Sequence, residues 1–281
     1  MKPPRFLLAV DLDGTLLRDD KTVADVDAHA IRTAHAHGIA VTIATGRLTT
    51  GALPTARALG LTMPLICADG GLLVDCASGA ALERRSIATA HARGALAVLE
   101  AQGLVPFVFL ADAIHCDAAG ERYRALVDTW SRELVVHAHL GEAEAWKQPE
   151  GVAVTVGVGP RENVERASAD LRRDHAATLD TVHFGMGGLS TWAVRSLPRG
   201  CNKGDMLARL AARLDVPRER VAAVGDWLND LGMFQYARRS FAMGQAPEVV
   251  LRAATDRVRS TSATGGGVSE AIAALRASPE G

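Results

Sequence analysis

Asp11 and Asp13 stand two positions apart at the end of an apolar run, in the stretch FLLAVDLDGTLL at residues 6–17. Carboxylates are costly to desolvate, so a pair in this company needs a reason. On an extended strand, positions two apart face the same way, while Leu12 between them can face a core. One such carboxylate can attack phosphorus and form an aspartyl-phosphate. The other can protonate a leaving oxygen and then activate water. Gly14 lets the backbone pass close to a ligand. An acidic turn that merely ends a strand accounts for the same residues, so the pair alone decides nothing.

A second acidic set, GDWLND, supplies Asp226, Asn229 and Asp230. Carboxylates gathered in one crevice repel, and a divalent cation relieves that repulsion. Mg²⁺ takes oxygen ligands: one or two carboxylates, water and phosphate oxygens. Asp226, Asp11 and the backbone carbonyl of Asp13 suit that role, with Asp230 binding directly or through water. Asp230 capping a helix that begins near Asn229 is the plainer alternative. In ATGR, the Thr45 hydroxyl and the amides around Gly46 can hold phosphate oxygens at a strand-to-helix turn. Arg47 there either contacts substrate or braces the turn. Lys203 opens a helix, an unfavourable place for a cation unless an anion is near. Its ammonium could neutralise charge on a transferring phosphoryl group, or simply be solvated.

These residues need elements that bring them together. RFLLAV, IAVTIATG and PLICADGG read as buried strands, the last ending in a glycine pair. Between them lie a helix over VADVDAHAIRTAHAHG, ended by Gly38, and a shorter one over TTGALPTARALG, interrupted near Pro54. Apolar strands separated by helices predict a parallel sheet covered on both faces. From Leu82 to Leu197 the texture changes: strands VPFVFL, AIHCD, GVAVTVGVG, TVHFGM and TWAVRS mix with three helices. This reads as an α+β insert with an antiparallel sheet. Alternation resumes with KGDMLARLAARLDV, RVAAVGD, LNDLGMFQYA, SFAMG, PEVVLRAAT, RVRST and a last helix. The expected architecture is α/β. A Rossmann-like parallel-sheet core spans 1–81 and 198–281, interrupted by an α+β domain over 82–197. In such a sheet ligands bind outside the carboxyl ends of the strands, where all the polar sets above fall.

Composition narrows the classes. At 281 residues, 48% hydrophobic and 22% charged, the chain is neither disordered nor fibrous. A formal net charge of -1 argues against a nucleic-acid partner. No apolar stretch is long enough to span a bilayer or to serve as a signal peptide, so the expectation is a cytoplasmic protein with no membrane partner. Cys67, Cys76, Cys116 and Cys201 show no paired spacing and read as reduced thiols. His35 and His37 read as solvent-facing, and Trp130, Trp146 and Trp192 as packing residues of the insert. Oligomeric state leaves no mark.

The order of the motifs resembles the haloacid dehalogenase-like hydrolase superfamily, in its Cof-type, type IIB capped phosphatases. DLDGTLL, ATGR, GCNKGDML and GDWLNDLGMF look like its four motifs, and FAMGQAPEVVLRAATDRV with GGGVSEAI like its C-terminal signature. The resemblance covers nearly the whole chain. It implies Mg²⁺-dependent phosphoryl transfer with Asp11 as nucleophile and Asp13 as acid/base. Thr45, Gly46, Arg47 and Lys203 would bind the phosphoryl group, Asn229 would orient phosphate or Lys203, and Asp11, Asp13, Asp226 and Asp230 would serve the metal. The insert would be a cap that acts as a lid and selects the leaving group. The expected partner is a small phosphorylated metabolite, a sugar phosphate first. A phosphomutase of a related capped family and a non-catalytic sugar-phosphate sensor are the alternatives. Three positions depart from the pattern: Asp69 where Asn is usual, Trp227 where a small residue is common, and Gln245 in place of Asn.

Overall fold

The run FLLAV forms the strand Phe6–Val10, with Leu7, Leu8, Ala9 and Val10 fully buried. A strand apolar on both faces needs cover on both, the usual condition of a parallel sheet. In the computed structural model, which describes residues 4–110, 113–148, 150–186 and 191–278, this strand lies inside a five-stranded parallel sheet. The order is Asp256–Arg257, Arg239–Ala242, Val221–Gly225, Phe6–Val10, Ile39–Ile43. Leu7 pairs with Val221 on one side and Ala40 on the other.

The chain divides into two compact units, one of Met1–Gly46, Ala52–Leu82 and Asn202–Gly281, the other of Arg47–Gly51 and Glu83–Cys201. Each has its own apolar core. In the first, Leu7, Ala9, Ile66, Met206, Leu210, Ala223 and Phe234 pack together. In the second, Leu96, Leu99, Val108, Trp146, Val164 and Val194 do so. The short segment Arg47–Gly51 joins the second unit because Leu48 donates its N–H to the Trp130 carbonyl at 2.8 Å and Thr50 shares a hydroxyl bond with Ser131 at 2.9 Å.

Several elements differ from expectation. PLICADGG does not extend the parallel sheet. Leu65–Cys67 turns through a tight 3₁₀ segment into the antiparallel Leu72–Val74, within a separate three-stranded sheet. Only the bridge Ala44 to Ile66 pairs it with the parallel strands among the described residues. The helix Thr49–Ala58 runs through Pro54 without interruption. Proline in the second turn loses the bond that its missing N–H would make to the Thr50 carbonyl and crowds that carbonyl, yet the helix continues. The six-stranded sheet of the second unit is mixed, because Ala113–Asp117 and Leu134–His137 pair in parallel while its other pairs are antiparallel. The region 121–134 forms a 3₁₀ segment and the short helix Arg124–Trp130 in place of one long helix. Residues 279–281, at the end of the chain, lie outside the described ones.

Candidate active site

Most residues of the site follow a strand of the parallel sheet or open a helix beside it; Asp69 instead follows Leu65–Cys67 of the three-stranded sheet. After Val10 the strand ends and the chain turns: Asp11 donates its N–H to the Val224 carbonyl at 2.9 Å, and Gly14 takes φ of 84°. A Cβ on Gly14 would stand 2.5 Å from Asp226 Oδ2, so only glycine lets the first turn approach this acid. Because the strand stops at Val10, alternation does not hold Asp11 and Asp13 in one environment. The Asp11 carboxylate is buried, whereas that of Asp13 is partly exposed and pairs with Lys21 at 3.4 Å.

Lys203 is the hub. Its helix, Lys203–Arg213, is capped by Asn202, whose side chain accepts the N–H groups of Gly204 and Asp205. Lys203 is fully buried, and its Nζ donates to Asp11 Oδ1 at 2.6 Å and to Asp230 Oδ1 at 2.8 Å. Asp230 uses its other oxygen to accept the N–H groups of Asp226 and Trp227 at 2.9 and 3.0 Å. It therefore closes its own loop and holds the lysine at once. Asp226 is held from both sides, by the Thr15 hydroxyl at 3.0 Å and by Gln245 Nε2 at 3.3 Å.

Three carboxylates face one ammonium, and the electrostatics follow from that imbalance. Burial, and next the charge of Asp230, push the Asp11 carboxyl well above the usual carboxylate range, against the opposing pull of Lys203. Burial and then Asp230 push Asp226 up to about 6. Burial disfavours the Lys203 ammonium, but Asp11 and Asp230 outweigh it and hold its pKa above the ordinary value. Asp11, Asp226 and Asp230 each offer an oxygen within 4.8 Å of the others. A buried, oxygen-only donor set with excess negative charge fits a hard divalent cation. Among the described residues no other cluster of His, Cys, Asp or Glu does so.

Thr45 is buried after the strand Ile39–Ile43, with its N–H on the Ile66 carbonyl at 2.8 Å. Its carbonyl accepts the N–H of Asp69 at 3.0 Å, and a Cβ on Gly46 would lie 2.9 Å from Asp69 Oδ2. Asn229 donates Nδ2 to Asp69 Oδ1 at 2.8 Å. Thr45, Gly46, Asp69 and Asn229 thus form a second corner, and Asp69 also raises the Lys203 pKa after Asp11 and Asp230. Arg47 falls in the other unit, where its guanidinium donates to the Gly51 carbonyl at 3.4 Å. The carboxylate of Asp13 is likewise outside the three-carboxylate cluster. Sequence reasoning missed Thr15, although it completes the run DLDGT, and noted Gln245 without giving it a role.

Cys67, Cys76, Cys116 and Cys201 are all buried. Trp146 is buried with its Nε1 on the Leu140 carbonyl, and Trp130 packs on Phe109. No described helix is long and apolar enough to cross a membrane.

The family model of haloacid dehalogenase-like hydrolases matches residues 8–272. The chain is 29% identical to the phosphatase YwpJ of Bacillus subtilis, over 86% of this chain and 90% of that protein. It is 27% identical to the pyridoxal phosphate phosphatase YbhA of Escherichia coli, over 87% and 89%. Its fold is similar to that of BT4131, a sugar phosphatase of the HAD subclass IIB, with a TM-score of 0.78 over 96% of this chain and 98% of that one at 21% identity.

Proposed function

We propose that this chain, which belongs to the haloacid dehalogenase-like hydrolase family, is a Cof-type phosphatase of subclass IIB that hydrolyses a small phosphorylated metabolite through a phosphorylated Asp11. The observation that carries this reading is the buried Lys203 bridging Asp11 and Asp230, with Asp226 alongside. A lysine bound to one oxygen of Asp11 fixes that carboxylate and leaves the other oxygen to attack. A bond forms from it to phosphorus, the ester P–O bond breaks, and Asp13 gives its proton to the leaving oxygen. Water then attacks phosphorus, Asp13 takes its proton, and the Asp11–phosphorus bond breaks to release phosphate.

Thr45, the amide at Gly46 and the Lys203 ammonium hold the phosphoryl oxygens, while Asn229, tied to Asp69, borders the same corner. Mg²⁺ is the proposed cation, held by Asp11, Asp226 and Asp230; when bound it supplies positive charge to the phosphoryl oxygens. A sugar phosphate is the leading substrate class, which agrees with the description of BT4131, while YbhA carries the name of a phosphatase for a phosphorylated pyridine. The segment Glu83–Cys201 is read as the cap that selects the leaving group.

Acid quenching during turnover, followed by mass analysis of the peptide bearing Asp11, tests the covalent step. With an aryl phosphate, whose leaving group needs no acid, the expected result is a transient phosphoryl adduct on Asp11 that accumulates in Asp13→Asn. Turnover with no adduct in either protein would overturn the covalent route.

A further inference from the structure

Gln245 spends its whole carboxamide on three separate segments. Its Nε2 donates to the Gly14 carbonyl at 2.7 Å and to Asp226 Oδ2 at 3.3 Å, and its Oε1 accepts the N–H of Ser262 at 3.1 Å. The orientation of the amide follows from chemistry: a carbonyl and a carboxylate can only accept, and a backbone N–H can only donate. Gly14 lies in the turn between Asp13 and Thr15. Ser262 in turn accepts the Asp19 N–H at 3.2 Å, beyond the same turn. Gln245 therefore joins Asp226 to the segment that carries Asp11 and Asp13.

The consequence for Asp226 is geometric. Thr15 holds one oxygen of its carboxylate and Gln245 the other. Rotation of the carboxylate about its own axis breaks both bonds, and Gly14 stands so near on the Oδ2 side that a Cβ there would lie 2.5 Å from that oxygen. Groups that hold a metal-binding carboxylate from outside commonly alter affinity by roughly 10- to 100-fold when removed. We propose that Gln245 is a positioning residue for the cation site, fixing Asp226 and the Gly14 turn in the arrangement that a divalent ion needs. The inference rests on the reading of Asp11, Asp226 and Asp230 as a metal site. Neither oxygen of a carboxylate at position 245 can donate, so Glu there faces two acceptors without a proton to offer. An Asn side chain is one methylene shorter and cannot span the same three partners.

The test is titration calorimetry with Mn²⁺ and with Mg²⁺ on the metal-stripped, substrate-free protein, for wild type, Gln245→Glu, Gln245→Ala and Gln245→Asn, beside urea unfolding in EDTA. The expected result is Kd raised about tenfold or more in the Ala and Glu variants, with Asn between them and wild type, while the metal-free unfolding midpoints stay together. Unchanged Kd values, with or without a drop in the metal-free midpoint, would overturn the inference and leave Gln245 a structural link between loops. Should a variant not fold, the Asn variant, which keeps a donor, carries the comparison. Wild type that binds neither ion would remove the metal reading itself, a result distinct from wild-type binding that the variants share.

Discussion

Lys203 shows how one side chain can be both liability and hub. A fully buried ammonium is tolerated only because two carboxylates lie within 2.8 Å. Lys203→Met leaves Asp11 and Asp230 buried without their cation, which should cost about 3–5 kcal/mol in the metal-free protein. Urea unfolding in EDTA measures that loss, and added Mg²⁺ should restore part of it by replacing the missing charge. An unchanged midpoint would mean that the carboxylates are satisfied elsewhere. Asp226 gives a pH dependence. Its carboxyl is raised from 3.8 to about 6, so between these values the folded metal-free protein holds a proton that the unfolded chain has lost. That contribution to stability is present below 3.8 and is lost as pH rises through about 6. Cation binding runs the other way, since it needs the carboxylate. Apparent Mg²⁺ affinity should rise as pH passes through 6, and Asp226→Asn should flatten the rise.

At this scale the sequence was informative where motif order could be read. Asp11, Lys203, Asp226 and Asp230 converge as their spacing at strand ends suggested. The partners of Asp226 were not legible, because Thr15 reaches it from a turn that depends on the positive φ of Gly14 and Gln245 from a loop distant in sequence.

The elements explain why the site residues cannot drift. The helix Lys203–Arg213 lies so close to Leu231–Tyr236 that a Cβ on Gly204 would fall 2.0 Å from the Gly232 carbonyl oxygen. A backbone atom cannot swing aside as a side chain does, so Gly204→Ala must push the helices apart. Overpacking of this kind should cost about 1–3 kcal/mol, read as a lower urea midpoint; a midpoint equal to wild type would show that the contact relaxes freely. Strand and helix positions along the parallel sheet were legible from apolar runs such as FLLAV and VAAVG, buried on both faces. The hairpin after Leu65–Cys67 was not. It turns on three successive positive φ values, at Ala68, Asp69 and Gly70, and only the glycine advertises such a turn. The mixed pairing of Leu134–His137 was equally hidden, since a short half-exposed strand leaves no alternation to read.

The whole molecule has two cores, and its pH response should reflect both. In the second unit, His115 stacks on His137, with 2.8 Å between their ring nitrogens. Burial, and next the neighbouring imidazole, hold His115 down at about 4, against an ordinary 6.5. As pH falls below 6.5 the unfolded chain takes up a proton that the folded one refuses until about 4, so stability declines across that window. His115→Gln should remove that share of the decline: the wild-type midpoint falls relative to the variant's between pH 6.5 and 4, with a constant gap above. Parallel profiles would contradict the assignment.

The covalent step at Asp11 is the claim on which the rest depends. The most direct test is phosphate release from a panel of sugar phosphates, phosphorylated heterocycles and a generic aryl phosphate, with and without Mg²⁺, for wild type and Asp11→Asn. The expected outcome is Mg²⁺-dependent release that falls at least about a thousandfold, or some 4 kcal/mol of barrier, when Asp11 becomes Asn. Release that persists in Asp11→Asn would contradict it.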